Sequence, residues 1–164
     1  MVRTIRKSRG FTLIEILIVV IILGILAAIV IPQFSSASND ARKSNLQTTV
    51  QTLRSQIALY KLQHQDVLPD LSTNWEALTL KTEVDGTTLA ATATPTAGTT
   101  YFGPYMQDTP VNSLTNSSTV LDGLDTSATP TVSTGFVYDY NAGAGSGKIW
   151  GVEIVNGAAV VLKP

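Results

Sequence analysis

The chain contains no cysteine and only one histidine, and charged residues make up just 14% of its 164 positions. The lack of cysteine excludes disulfides, thiolate metal sites and a cysteine nucleophile. The single histidine, His64, excludes any site that takes two imidazoles from one chain. The formal net charge of −1 gives no indication of a nucleic-acid partner. The hydrophobic content of 44% excludes disorder along the whole chain, because that much apolar surface must be buried.

The charges that are present are segregated along the sequence. The leader, residues 1–10, has no acidic residue, and its basic residues are Arg3, Arg6, Lys7 and Arg9. Residues 11–34 follow, and from Ile16 to Ile31 no side chain is polar. A spanning helix needs roughly 20 mostly apolar residues, so we predict that this segment crosses a membrane. Basic residues just before it place the N-terminus in the cytoplasm. A cleaved secretory signal is disfavoured, because no good cleavage site follows the apolar run.

The period of the sequence changes after the apolar run. Within residues 35–64, apolar side chains recur every three or four positions, which indicates one apolar stripe along a helix. The stripe consists of Leu46, Val50, Leu53, Ile57 and Tyr60. The simplest interpretation is one helix from about residue 11 to about residue 64, roughly 80 Å long. We expect Pro32 to kink it, because proline removes a backbone donor, and Gly24 is a second weak point.

The rest of the chain indicates loops followed by a sheet. Residues 82–134 are rich in threonine and serine and lack lysine and arginine, which is typical of exposed loops. Residues 135–164 contain good strand formers, and Asn156-Gly157 between two apolar runs indicates a β-hairpin. We predict an α+β fold in which the amphipathic helix, residues 35–64, packs on a small C-terminal antiparallel β-sheet.

The N-terminal residues form a specific motif. The basic leader ends at Gly10, the sequence Phe11-Thr12-Leu13-Ile14-Glu15 follows, and the apolar run comes next. This arrangement resembles the N-terminus of type IV pilins and type II secretion pseudopilins. The resemblance implies that a prepilin peptidase cleaves between Gly10 and Phe11, and that the new amino group of Phe11 is methylated.

The same resemblance implies a division of the chain and a set of partners. Residues 11–34 become a transmembrane and polymerisation helix, and residues 35–164 a globular pilin-like domain. The subunit is expected to cross the inner membrane once, with its N-terminus in the cytoplasm, and later to join a periplasmic or cell-surface filament. Its implied partners are the prepilin peptidase, an inner-membrane assembly platform with its ATPase, and further copies of itself in a helical filament.

Glu15 is the one charge in the apolar segment and needs a physical reason. A carboxylate within a bilayer costs on the order of 2.5–3.5 kcal/mol on insertion scales, and less near the end of the span. The resemblance supplies a partner, which is the charged amino group of Phe11 in a neighbouring subunit of the filament. The alternative is a glutamate that merely reaches the lipid headgroups. With the whole motif around it, we favour a role in filament assembly.

The C-terminal half resembles the G-type major pseudopilins more weakly. The similar segments are Tyr60-Lys61, Leu68-Pro69, Gly103-Pro104-Tyr105-Met106, Thr109-Pro110-Val111-Asn112, Gly135-Phe136-Val137-Tyr138-Asp139 and Gly147-Lys148-Ile149-Trp150. Many members of that group carry an acidic calcium loop, for which this chain offers only Asp122 and Asp125. Calcium takes six to eight oxygen ligands, so two aspartates make a weak candidate, and we expect no cofactor.

These observations predict a structural filament subunit of a type II secretion machine, and no catalytic residue. A type IV pilin acting in adhesion, motility or DNA uptake is the alternative. Many adhesive pilins close a C-terminal loop with a disulfide, which a chain without cysteine cannot do. His64 follows the helical stripe by one turn, and we expect it to be a partly exposed cap or packing residue at the helix end.

Overall fold

The computed structural model describes residues 10–163 and divides into two compact units at the junction of Asp40 and Ala41. Residues 1–9 of the predicted basic leader, with all four of its basic side chains, lie outside the described residues. The junction falls within the first helix, α1, which runs from Leu13 to Gln63. Its bounds agree with the predicted helix within two residues at each end.

The first unit consists of the apolar part of α1 and the residues just before it. Its apolar side chains are exposed to the surroundings throughout. The α1 helix continues through both Gly24 and Pro32. Continuity of the helix does not test whether its axis bends, so the kink at these two positions stays a prediction.

The second unit is built from the remainder of α1 and two sheets. Its elements after α1 are α2 (Glu76–Thr79), β1 (Lys81–Glu83), β2 (Thr88–Leu89), β3 (Tyr101–Phe102), β4 (Val120–Asp122), β5 (Phe136–Tyr138), β6 (Ile149–Val155) and β7 (Ala158–Val161). The first sheet has the order β2-β1-β3 and is antiparallel. The second has the order β4-β5-β6-β7.

The core of this unit confirms the predicted stripe on α1. All five stripe residues, from Leu46 to Tyr60, are buried. They form one apolar cluster with Phe136, Tyr138 and Ile149 from the larger sheet. The long helix packed on a sheet gives the α+β class that the sequence predicts. The β6–β7 hairpin is also confirmed, because Val155 pairs with Ala158 across Asn156-Gly157.

The larger sheet differs from the prediction at one edge. Strands β5, β6 and β7 are antiparallel, but β4 pairs in parallel with β5. Strand β4 lies in the threonine-rich stretch that we expected to form loops, as do β2 and β3. Strands of two or three residues are too short to show an alternating pattern in the sequence. Two parallel strands are also not joined by a hairpin turn, so no turn residues mark the pair.

Candidate functional site

The N-terminal end of α1 carries the residues of the predicted processing site. Gly10 and Phe11 precede the helix, and the side chain of Phe11 is 79% exposed. A methylene placed on Gly10 would meet no atom within 4 Å. Packing among residues 10–163 therefore does not require glycine at position 10.

Thr12 and Glu15 form a capping box that the sequence analysis overlooked. The Glu15 backbone N–H donates to Thr12 Oγ1 at 3.3 Å, and the Thr12 N–H donates to Glu15 Oε2 at 3.3 Å. These are the two reciprocal hydrogen bonds of a Ser/Thr-x-x-Glu helix start, and the spacing Thr12-Leu13-Ile14-Glu15 was the signal for them. The capping box gives Glu15 a local role in starting α1.

The carboxylate of Glu15 can still accept a stronger hydrogen bond than those it makes with Thr12. Its hydrogen bonds with Thr12 are 3.3 and 3.4 Å long, and both residues are exposed. Charge-assisted hydrogen bonds to an ammonium group are typically 2.7–2.9 Å long and about twice as strong as neutral ones. A cationic donor from a second molecule could therefore bind this carboxylate without unfolding the helix start.

The apolar part of α1 presents a surface that needs covering. Among the described residues, α1 is the one helix long and apolar enough to cross a membrane, and its apolar stretch is not buried in the chain itself. Lipid and the like helices of other subunits are the two environments that suit such a surface.

Pro32 and Ser36 mark an irregular point in the backbone hydrogen bonding of α1. Proline has no N–H to donate to the carbonyl four residues earlier. One turn later, the Ser36 hydroxyl lies 3.0 Å from the Gln33 carbonyl oxygen and 3.4 Å from that of Pro32, and a serine bond to the carbonyl four residues earlier often bends helices. Gly24 has open space around it, so no packing contact requires a glycine there.

The weak calcium candidate uses one of its carboxylates within the fold. Asp122 Oδ1 accepts hydrogen bonds from the backbone N–H groups of Tyr140 and Asn141, at 3.0 and 3.1 Å. Within residues 10–163, no three His, Asp or Glu residues come together in a way that could hold a metal ion. Calcium binding at Asp122 and Asp125 stays the weak candidate that the sequence offers.

His64 is fully buried, and the expectation of partial exposure is wrong. Its ring stacks on Tyr60 with centroids 3.8 Å apart, and Nδ1 lies 2.8 Å from the Tyr60 carbonyl oxygen. A carbonyl can only accept, so Nδ1 donates to it, and Nε2 forms a hydrogen bond with the Thr82 hydroxyl at 2.8 Å. His64 therefore ties β1 to the end of α1. A bond to a residue eighteen positions away leaves no local signal in the sequence.

Two buried tyrosines, Tyr60 and Tyr138, make the second unit sensitive to alkaline pH. Burial raises the pKa of Tyr60 from its ordinary value of 10.0 to about 12 and raises the pKa of Tyr138 as well. The folded state thus holds these protons more tightly than the unfolded state, so their stabilisation is complete below about pH 10 and is lost as the pH rises towards 12.

We expect the free energy of unfolding to fall steadily between about pH 10 and pH 12. Urea titrations of the full chain in detergent, followed by near-ultraviolet circular dichroism, would measure it. The Tyr60→Phe variant lacks one of the titrating groups and should show a shallower fall. A free energy that stays constant over this range in the unmodified chain would contradict the prediction.

Comparisons with known proteins give matches that include the segment with Gly10, Phe11 and Glu15. Residues 5–31 match the family model described as the prokaryotic N-terminal methylation motif. The chain is 40% identical to the type II secretion system core protein G of Pseudomonas aeruginosa over 76 residues, which is 46% of this chain and 53% of that protein. It is 38% identical to the type IV narrow pilus major component PilA5 of Thermus thermophilus over 61 residues, 37% of this chain and 53% of that protein.

These matches confirm the resemblance to type IV pilins and type II secretion pseudopilins, and the family model places the methylation motif at residues 5–31. A further relative, the type II secretion system core protein G of Dickeya chrysanthemi, is 42% identical over 57 residues, or 35% of this chain and 37% of that protein. The chain thus spans about half or less of the length of the relatives it matches. The comparison with solved structures gives no match.

Proposed function

We propose that this protein is a structural subunit of a pilus or pseudopilus filament, processed by a prepilin peptidase and assembled from the inner membrane for type II protein secretion. One observation carries the proposal. Phe11 comes directly after Gly10 and just before the exposed apolar helix, Glu15 lies in the first turn of that helix, and this segment lies within the N-terminal methylation motif.

The mechanism is assembly and not catalysis. Before assembly, lipid covers the apolar part of α1 and holds the subunit in the inner membrane. In the filament, the like helices of neighbouring subunits replace the lipid. Cleavage after Gly10 frees the amino group of Phe11, which then pairs with Glu15 of a neighbour. That pairing offsets the cost of keeping a carboxylate in apolar surroundings.

A secretion pseudopilus is favoured over a surface pilus by the similarity to two type II secretion core G proteins. The similarity to a type IV narrow pilus component keeps a pilin acting in adhesion, motility or DNA uptake as the second candidate. Loss of type II secretion without loss of surface pili in a deletion strain supports the first. The opposite phenotype supports the second.

The mass and N-terminal sequence of the protein from membranes or sheared filaments test the proposal directly. We expect the mature chain to begin at a methylated Phe11. A chain that begins at Met1 would leave a membrane-anchored protein without the amino group that Glu15 needs. A chain that begins after residue 28 would mean an ordinary signal peptide, and the proposal would be wrong.

Replacing Gly10 with leucine should leave the precursor uncleaved. A Cβ atom at position 10 would meet no described atom within 4 Å, so we expect the substitution to act on recognition by the peptidase and not on packing within residues 10–163. Gly24→Leu is the matched control, because position 24 also has open space and lies away from the cleavage site. Immunoblots of membranes should show only precursor for Gly10→Leu and mature protein for Gly24→Leu. Normal maturation of Gly10→Leu would reject the cleavage site.

A further inference from the structure

The sequence Ala-Thr-Pro-Thr occurs twice in the threonine-rich stretch, at residues 93–96 (the first segment) and at residues 128–131 (the second segment). Both segments lie outside helices and strands, and each has a turn directly before it and another directly after it. Proline fixes its own φ and keeps the residue before it extended, so these four residues favour this conformation. The chain therefore builds the same short element twice on the second unit.

The same backbone hydrogen bonds close the turns at both ends of the two segments. The N–H of the leading alanine, Ala93 or Ala128, donates to a carbonyl of the preceding turn at 2.8 Å in both cases. The carbonyl of the last threonine accepts from the third residue beyond it, at 3.2 Å for Thr96 and 2.9 Å for Thr131. These bonds hold each segment at both ends, so the residues between them are presented in the same way twice.

In both segments the alanine faces the protein and the threonines face outwards. Ala93 and Pro95 line a cavity of about 250 Å³, and Ala128 packs against the apolar cluster that contains Trp150. The inner residues therefore position each segment, and a second molecule would meet its threonines. All four threonines of the two segments are exposed, namely Thr94, Thr96, Thr129 and Thr131.

The threonine before proline keeps its hydroxyl unoccupied in both segments. Within residues 10–163, no side-chain hydrogen bond involves Oγ1 of Thr94 or of Thr129. By contrast, Thr131 Oγ1 lies 2.9 Å from Ser133 Oγ and 3.2 Å from Thr134 Oγ1. Hydrogen bonding among the described residues therefore does not account for the hydroxyls at positions 94 and 129, and both are available to another molecule.

The composition around the two hydroxyls favours a sugar as the group that they take. Segments rich in serine and threonine that also contain proline are typical of O-glycosylated chains. A phosphate on threonine would instead seek lysine or arginine as its partner. Residues 82–134 contain neither, and Lys81 lines the cavity on the inner side of the first segment. A neutral sugar needs no such partner.

We propose that Thr94 and Thr129 are O-glycosylation sites. The co-substrate is a sugar joined through its anomeric carbon to a phosphate, and a glycosyltransferase brings it to the segment. Threonine Oγ1 attacks the anomeric carbon, so the bond from Oγ1 to that carbon forms and the bond from the carbon to the phosphate oxygen breaks. The electron pair leaves with the phosphate, and the hydroxyl proton passes to a base of the transferase. This modification goes beyond the proposed function, because it requires no filament.

The mass of the full chain purified from its own host cells tests the proposal. Counted from the observed N-terminus and any methyl group there, we expect the mass to exceed that of the sequence by the sugars on two threonines. Trypsin releases residues 82–148 as one peptide, because no lysine or arginine lies between Lys81 and Lys148. Electron-transfer fragmentation of this peptide should place the sugars on Thr94 and Thr129. A chain without added mass would overturn the proposal, and so would an added mass that alkaline phosphatase removes.

Valine and serine substitutions provide matched variants at the two exposed positions. Thr94→Val/Thr129→Val keeps the size of both side chains and removes both hydroxyls, so all of the added mass should disappear. Thr94→Ser/Thr129→Ser keeps both hydroxyls and should retain the added mass, and each single valine variant should lose only the sugar at its own position. Added mass that persists in the double valine variant would show that other hydroxyls are modified, which overturns the assignment.

The same mass measurement separates this modification from the proposed function. A glycosylated chain that begins at Met1 would leave the modification standing and reject the filament function. A chain that begins at methylated Phe11 and carries no sugar would support the filament function and reject the modification.

Discussion

Replacing Glu15 with alanine is expected to leave cleavage after Gly10 intact and to abolish or greatly slow filament growth. In the proposed filament, the substitution leaves the amino group of Phe11 in a neighbouring subunit without its carboxylate partner. Removing one member of a buried ion pair costs about 3–5 kcal/mol. A loss of that size lowers the association constant at each contact by roughly 100-fold or more.

The capping box requires a control, because Glu15 also helps to start α1 through Thr12. Glutamine at position 15 can still accept the hydrogen bond from the Thr12 N–H, so Glu15→Gln keeps the capping box but removes the charge. Loss of the cap alone costs about 1 kcal/mol, which is too little to stop assembly. Both variants should therefore be matured normally and both should lack filaments in sheared fractions and electron micrographs. Normal filaments from Glu15→Gln would show that capping, and not charge pairing, is the role of this residue.

The long helix and its buried stripe could be predicted because their signals are local and periodic. Leu46 to Tyr60 recur at helical spacing, and each of them is buried on one side of α1. The hairpin at Asn156-Gly157 was predictable for a similar reason, since both residues adopt the positive φ that this turn requires. The capping box of Thr12 and Glu15 was also visible in the sequence and was simply overlooked.

Other features could not be predicted because they depend on partners far away in the sequence. His64 is buried by Thr82 and Tyr60, and a lone histidine at a helix end gives no sign of that. Gly151 lies within β6, where a side chain would collide with Leu46 of α1 at 2.8 Å, so glycine allows the helix and the sheet to approach closely. Such contacts exist only once the chain is folded.

Asn112 is the most consequential of these unpredicted residues. Its side chain is fully buried. The amide Nδ2 donates to the carbonyls of Gly135 and Val152, at 2.6 and 2.7 Å, and Oδ1 accepts from the N–H of Leu114 at 2.8 Å. One side chain thus joins the turn after residue 112 to the start of β5 and to the middle of β6. The sequence motif around Asn112 indicated a resemblance but no such role.

Asn112→Asp should destabilise the second unit by about 3 kcal/mol or more, because it replaces the amide that donates to the Gly135 and Val152 carbonyls with an acidic oxygen placed against them. For a unit of this size the melting temperature should fall by about 10 °C. Asn116→Asp is the matched control, since Asn116 lies four residues away and is exposed, and its melting temperature should change little. Thermal unfolding of the full chain in detergent, followed by near-ultraviolet circular dichroism, measures both. Equal melting temperatures for the two variants would mean that the buried amide does not hold the strands together, and that the apolar contacts of Leu46 and its neighbours suffice.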